Sequence, residues 1–182
     1  TLIHCIGELK KNIIPKVKCD HEIEINLPGS KAIVGINERP FWRQALDKIK
    51  NDYNIVVYTA SHCSYCDSIL NYLDKNNEYF KYRLYRNNCV QCTSNDGYKF
   101  YVKDLDIFNK NYDLKNVVLI DNSALSFAFH INNGIPVIPY YDSKEDNELY
   151  LVAGYLLSIA NCEDVRIENK KYNELEKSLN IA

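Results

Sequence analysis

Methionine is missing from this 182-residue chain, and glycine and proline are scarce, with six and five residues. This scarcity excludes a collagen-like or proline-rich protein. No apolar run approaches the roughly 18 residues that indicate a membrane-spanning helix, so the sequence contains no membrane segment. Positive charge is not in excess either, because the net charge is −2, and nothing attracts the whole chain to nucleic acid. The remaining composition, 46% hydrophobic and 25% charged, is that of one ordinary globular domain.

Seven cysteines are present, and four of them form two C-x-x-C pairs, Cys63/Cys66 and Cys89/Cys92. Without a visible secretory segment, we expect reduced thiols in an intracellular protein. The gap between the two pairs is slightly longer than is usual for a zinc site. Two interpretations stay open: a structural zinc site, or small apolar side chains that pack in the interior.

Local patterns predict an alternation of strands and helices. Residues 21–36 alternate polar and apolar side chains around Leu27-Pro28-Gly29-Ser30, which predicts a hairpin. Continuous β-branched runs predict buried parallel strands, and helical spacing of apolar residues predicts helices. The strands are expected at 54–58, 116–120 and 135–138, and the helices at 62–75, 147–160, 168–180 and from Pro40. This order indicates an α/β fold with a parallel sheet, whose sites form at the carboxyl ends of the strands.

Polar residues follow two of the predicted strands at those ends. Thr59 can donate its hydroxyl, and the N–H groups of Ala60 and Ser61 at the start of the next helix can bind an anion. Asp121 and Asn122 offer a carboxylate and an amide oxygen, which are ligands that suit Mg²⁺. The competing interpretations are a plain helix N-cap for the first group and a turn for the second.

Lys103 ends an extended segment, where its ammonium could neutralise a phosphate. The alternative is a solvated surface lysine. Taken with the hydroxyl and the acid–amide pair, this lysine indicates phosphoryl transfer rather than acyl transfer. The set lacks a nucleophile.

Several short segments, in order and at similar spacing, resemble one known family. It comprises the phosphatases related to the RNA polymerase II C-terminal-domain phosphatases and the NLI-interacting factor, within the haloacid dehalogenase (HAD) superfamily. The matching segments are Tyr58-Thr59-Ala60-Ser61, Arg86-Asn87-Asn88-Cys89-Val90, Tyr101-Val102-Lys103-Asp104-Leu105 and Val118-Leu119-Ile120-Asp121-Asn122-Ser123, with Glu38-Arg39-Pro40, Phe129-His130, Asn133-Gly134-Ile135-Pro136 and Asp146-Asn147-Glu148-Leu149.

The resemblance implies a HAD-like Rossmannoid parallel sheet with helices on both faces. Residues 1–166 would form this domain and 167–182 a C-terminal helix. The hairpin at 21–36 would be a small flap, with no large cap domain, and such an open site suits a phosphoprotein segment.

The family's first motif is Asp-x-Asp-x-Thr followed by Leu-[Val/Ile]-His, and Thr1-Leu2-Ile3-His4 matches its tail. The nucleophile and acid/base aspartates, with the central strand that carries them, are therefore expected directly upstream of Thr1. The implied activity is Mg²⁺-dependent hydrolysis of phosphoserine or phosphothreonine through an aspartyl-phosphate. Phosphoproteins such as the RNA polymerase II C-terminal repeat would be its substrates and partners, in the nucleus or cytoplasm.

The resemblance also implies roles for individual residues. Thr59 would hold a phosphoryl oxygen, Lys103 would balance negative charge, and Asp121 and Asn122 would hold Mg²⁺. The residues on the substrate side would be Ala60, Ser61, Tyr65 and Arg86.

A second hypothesis is a catalytically inactive binding module, because some relatives serve as mitochondrial import receptors. The intact Thr59, Lys103, Asp121 and Asn122 argue against that loss of activity. The residues before Thr1 would decide between the two hypotheses.

Overall fold

The computed structural model describes residues 1–9, 18–27, 29–80 and 82–179. The strands among them are β1 (Ile3–Glu8), β2 (His21–Leu27), β3 (Ser30–Glu38), β4 (Val56–Tyr58), β5 (Tyr82–Leu84), β6 (Val90–Thr93), β7 (Lys99–Val102), β8 (Leu119–Asp121) and β9 (Gly134–Pro136). The α-helices are α1 (Trp42–Ile49), α2 (Cys63–Leu73), α3 (Glu148–Ile159) and α4 (Val165–Leu179). None of these described helices has the length and apolarity that crossing a bilayer would require.

Two pairs of parallel strands confirm the α/β prediction. β4 pairs with β5 through the crossover helix α2, and β8 pairs with β9. Over the described residues, no ladder of backbone hydrogen bonds joins one pair to the other. β8 begins later than the expected 116–120 because Leu114–Asn116 forms a 3₁₀ turn, in which the Asp113 side chain accepts a hydrogen bond from Lys115 N.

The predicted hairpin is formed by β2 and β3, and β1 pairs antiparallel along the other edge of β3. Pro28, in the predicted turn, lies outside the described residues. A bulge interrupts β1 between Cys5 and Gly7, and Gly7 has a φ of 106°, which suits glycine. β2 packs against α2, so this small sheet lies on that helix.

The main core lies between the helices and the inner faces of the sheets. α1 buries one stripe, Trp42, Ala45, Leu46 and Ile49, and packs against α3. Burial of each large apolar side chain of this kind contributes about 1.5–3 kcal/mol. The helix begins at Trp42 and not at Pro40, because Phe41 before it adopts a left-handed conformation with φ 59°.

The chain between β4 and β8 forms two separate strand pairings. Tyr82–Leu84 joins β4, whereas β6 and β7 form a separate antiparallel hairpin around residues 94–97. The C-terminal helix α4 begins at Val165, and residues 180–182 of the predicted helix lie outside the described part. Its fully buried Asn169 accepts a hydrogen bond from the Tyr155 hydroxyl and donates one to Asn132, which fastens α4 to the domain.

Candidate active site

A buried ion pair lies where β7 and β8 end. The Lys103 ammonium donates a hydrogen bond to Asp121 Oδ2, and the two residues are only 8% and 7% exposed. Backbone contacts hold both residues in place: Lys103 N donates to Ser126 O (2.8 Å), and Asp121 O accepts from Val137 N (3.1 Å). Burying two charges carries a large desolvation cost, so a pair retained at a strand end is a candidate functional site.

Asn122, which follows Asp121 in the chain, contacts Thr1. Its Oδ1 accepts hydrogen bonds from the backbone nitrogen of Thr1 (3.1 Å) and from the Thr1 hydroxyl (3.3 Å). Asp121 Oδ1 accepts from Ser123 N at 2.8 Å. Thr1 therefore lies beside Asn122, one of the two consecutive residues expected to hold Mg²⁺.

Thr59 occupies the corresponding end of β4. Its backbone N–H continues the ladder to Leu84 O (2.9 Å), and its Oγ1 accepts a hydrogen bond from Ser61 N at 3.1 Å. The Ser61 N–H, which we expected to be available for an anion, is thus used inside a turn. α2 begins only at Cys63, so Ala60 and Ser61 precede the helix. Among the described residues, no acceptor is bonded by the hydroxyl proton of Thr59, which can therefore serve as a donor.

A 3₁₀ turn that begins at Arg86 closes one side of this strand end. The Arg86 Nε donates to Ala60 O (2.7 Å), its backbone N–H donates to Ser61 O (3.0 Å), and its Cζ lies 5.2 Å from the centre of the Tyr101 ring. The Cys89 Sγ lies 3.7 Å from Thr59 O.

The Cys89 thiol is half-buried beside the end of β4. Burial raises its pKa, and the nearby positive charges of Lys103 and then Arg86 oppose that rise. The two strand ends are joined directly, since the hydroxyl of Tyr58, the last residue of β4, lies 3.5 Å from the backbone oxygen of Asp104, two residues after the end of β7. The ends of β4 and β7 therefore lie close together.

Tyr65 is placed differently from the other predicted residues. It lies on α2 and packs against the main core, with its hydroxyl beside the Cys5 thiol of β1. Burial is the main cause of the raised pKa of this phenol. Its expected place on the substrate side stays a prediction.

The four cysteines of the C-x-x-C pairs do not form a metal cluster within the described residues. Cys66 faces the core, where burial raises its pKa to about 11, whereas Cys63 is exposed beside His62. Cys92 lies on the hairpin strand β6. The structure therefore offers nothing in favour of the zinc interpretation.

A histidine–carboxylate pair next to Lys103 in the chain was not identified from sequence. His130 Nε2 lies 2.9 Å from Asp104 Oδ1, and this contact is the main cause of the lowered pKa of Asp104. Asp104 directly follows Lys103, and His130 belongs to the segment that follows Asp121. With Asp106, these two residues could hold a metal ion, since their ligand atoms lie within 4.8 Å of one another. Asp104 and His130 lie in two of the segments that resemble the family, and this resemblance was the only sequence feature that could have identified them.

Arg39 is a second residue to which sequence reasoning gave no role. Its guanidinium is fully buried and donates two hydrogen bonds to the Asp146 carboxylate, at 2.7 and 2.8 Å. A third goes to Thr1 O (3.3 Å), and its backbone N–H bonds Leu2 O (3.0 Å). Arg39 therefore fixes the chain that passes beside Asn122.

Comparison with known proteins gives one consistent result. The family model for NLI interacting factor-like phosphatases matches residues 1–166. "CTD small phosphatase-like protein 2" of Dictyostelium discoideum is 36% identical over 166 residues, which cover 91% of this chain and 27% of that protein. The human "Carboxy-terminal domain RNA polymerase II polypeptide A small phosphatase 1" is 30% identical over 165 residues, 91% of this chain and 58% of the relative. The chain thus spans about a quarter to somewhat over half of these relatives.

Among solved structures, the fission yeast RNA polymerase II CTD phosphatase Fcp1 bound to beryllium fluoride has a similar fold. The TM-score is 0.54 at 19% sequence identity, over 87% of this chain and 45% of that one.

Proposed function

The chain belongs to the NLI interacting factor-like phosphatase family, and from this we propose that it is a Mg²⁺-dependent phosphoprotein phosphatase. It would remove phosphate from serine or threonine in exposed protein segments, such as the RNA polymerase II C-terminal repeat. The observation that carries the proposal is the buried Lys103–Asp121 pair, whose Asp121 directly precedes Asn122 in the chain and which lies near the end of β4 that leads into Thr59.

The donor atoms around Asp121 fit a magnesium ion. Asp121 and Asn122 would hold it, because both present oxygen atoms and Mg²⁺ prefers oxygen ligands. Each carboxylate oxygen can accept two hydrogen bonds, and the described partners of Asp121 are one donor on each oxygen, Lys103 and Ser123. When bound, Mg²⁺ supplies positive charge that lessens the repulsion between a phosphate and a carboxylate nucleophile.

Lys103 and Thr59 would stabilise the phosphoryl group itself. An ammonium has three donors, and Lys103 uses one side-chain donor in its described contacts, toward Asp121. Its remaining donors can neutralise charge that develops on the phosphoryl oxygens, in a buried setting where such interactions are strong. The Thr59 hydroxyl would donate to another of these oxygens.

The nucleophile and the acid/base would be the two aspartates of the family's first motif, which the resemblance places directly before Thr1. The first aspartate attacks phosphorus as the bond from phosphorus to the serine or threonine oxygen breaks. The second donates a proton to that oxygen, and later accepts one from the water that hydrolyses the aspartyl-phosphate.

Two observations support this placement of the first motif. Thr1 is bonded to Asn122 and Arg39, so the chain next to it lies at the site. In addition, the two described parallel strand pairs share no backbone ladder, which is compatible with a strand between them.

The test is hydrolysis of an aryl phosphate and of a phosphoserine peptide by the full-length protein, with Mg²⁺ and with a chelator. We expect turnover only with Mg²⁺, and a loss of about 10²–10³ in kcat/KM for Lys103→Met, which keeps side-chain volume but removes the charge. Lys110→Met, at an exposed lysine, is the matched control. Near-normal turnover by folded Lys103→Met would exclude this mechanism, and a folded wild-type protein without any turnover would favour the binding-module hypothesis.

A further inference from the structure

The hairpin formed by β6 and β7 leads directly into the candidate site, since β7 ends one residue before Lys103. In its register, Gln91 lies opposite Tyr101 and Thr93 opposite Lys99. Side chains alternate between the two faces of a strand, so these four share one face. The Tyr101 hydroxyl donates to Gln91 Oε1 (3.2 Å), which confirms that their side chains meet there.

Arg86 adds a positive charge to the same face. Its Cζ lies 5.2 Å from the centre of the Tyr101 ring, while its Nε is bonded to Ala60 at the end of β4. Lys99 is two residues from Tyr101 along β7, a rise of about 6.5–7 Å. Arg86, Tyr101 and Lys99, which we call the hairpin strip, therefore run outward from the site.

The two cations of the hairpin strip have no carboxylate partner among the described residues, whereas many other surface cations do. Arg83 pairs with Asp67 and Lys144 with Asp20, for example. The carboxylate at the tip of the hairpin, Asp96, is bonded by the Ser94 hydroxyl. Arg86 and Lys99 are both exposed, so their charges are available to another molecule.

We propose that the hairpin strip binds the substrate segment beside the phosphorylated residue and selects for anionic side chains there. This inference rests on the proposed function and names the class of its substrates: phosphopeptides with a carboxylate or a second phosphate within a few residues. An extended peptide repeats its side-chain direction every two residues, which matches the step between Tyr101 and Lys99. The strip is continuous with the site, and its charge is complementary to such a segment.

The experiment compares two phosphoserine peptides that differ only in flanking glutamates or glutamines. Their kcat/KM values are normalised to an aryl phosphate, which has no flanking residues. We expect wild-type protein to prefer the acidic peptide by about two- to fivefold per anionic group at low ionic strength, since exposed ion pairs contribute modestly. The preference should decrease in 0.5 M NaCl because salt screens exposed charges.

Lys99→Glu should reverse the preference, because its carboxylate repels the flanking glutamates. Lys110→Glu, which makes the same charge change at an exposed lysine outside the hairpin, should keep the wild-type ratio. Equal normalised turnover of the two peptides by wild-type protein, or an unchanged ratio in Lys99→Glu, would refute the inference and leave the phosphatase proposal standing. A folded protein that hydrolyses neither the peptides nor the aryl phosphate would refute both.

Discussion

Removal of the Arg39 guanidinium should destabilise the protein strongly. Arg39 is 0% exposed, and its bidentate partner Asp146 retains 13% side-chain exposure. Truncation of one member of a buried ion pair leaves an uncompensated charge and costs about 3–5 kcal/mol. We therefore expect Arg39→Met to lose that amount of unfolding free energy, a large part of the 5–15 kcal/mol that is usual for a domain. The midpoint temperature should fall by about 6–20 °C at this chain length.

Urea unfolding followed by circular dichroism measures this loss. Lys31→Met is the matched control, because Lys31 forms an equally short ion pair with Glu24 (2.7 Å) in which both side chains are mostly exposed. Exposed pairs contribute about 0–1 kcal/mol. The double variant Arg39→Met/Asp146→Leu should recover part of the stability, since it leaves no unpaired charge.

Two results would refute this reasoning. The first is an Arg39→Met variant no less stable than Lys31→Met, which would mean that Asp146 is adequately solvated without its partner. The second is a double variant as unstable as the sum of both single variants, because the loss would then come from packing and not from an unpaired charge.

The contact made by Arg39 is a part of the structure that the sequence did not predict. Thr59, Asp121 and Asn122 were found because each follows a buried apolar run, and a strand followed by a polar turn is a local pattern. The contact between Arg39 and Asp146 joins residues 107 positions apart. Nothing in either local segment says that the two meet, so the motifs could be matched to a family without the contact being foreseen.

Strand partners were unpredictable for a related reason. β5, β6 and β7 are all extended segments, but an extended conformation does not specify which strand will be its neighbour. β5 joined the parallel pair, whereas β6 and β7 paired with each other. The Ser61 N–H shows the same limit at short range, because its capture by the Thr59 hydroxyl depends on where α2 begins.

Two further predictions test local parts of the fold. Burial opposes ionisation of Asp74, but hydrogen bonds from the backbone N–H groups of residues 78–80 lower its pKa overall. The stabilisation that the Asp74 carboxylate gives the folded protein is therefore fully present above its unfolded pKa of about 3.9, and it is lost as pH falls through its lower pKa in the folded protein. In urea unfolding at pH 7, Asp74→Asn should be less stable than wild type. At pH 3 the difference should be smaller. At Gly134, an added methyl group would overlap the buried Phe127 ring, and we expect Gly134→Ala to lose about 1–3 kcal/mol through overpacking. Gly154 lies in the middle of α3, where an added methyl group would meet no atom within 4 Å outside its own turn of helix. Gly154→Ala should therefore gain about 0.5–1 kcal/mol from helix propensity. Equal stabilities for these two variants would mean that Phe127 does not pack on Gly134.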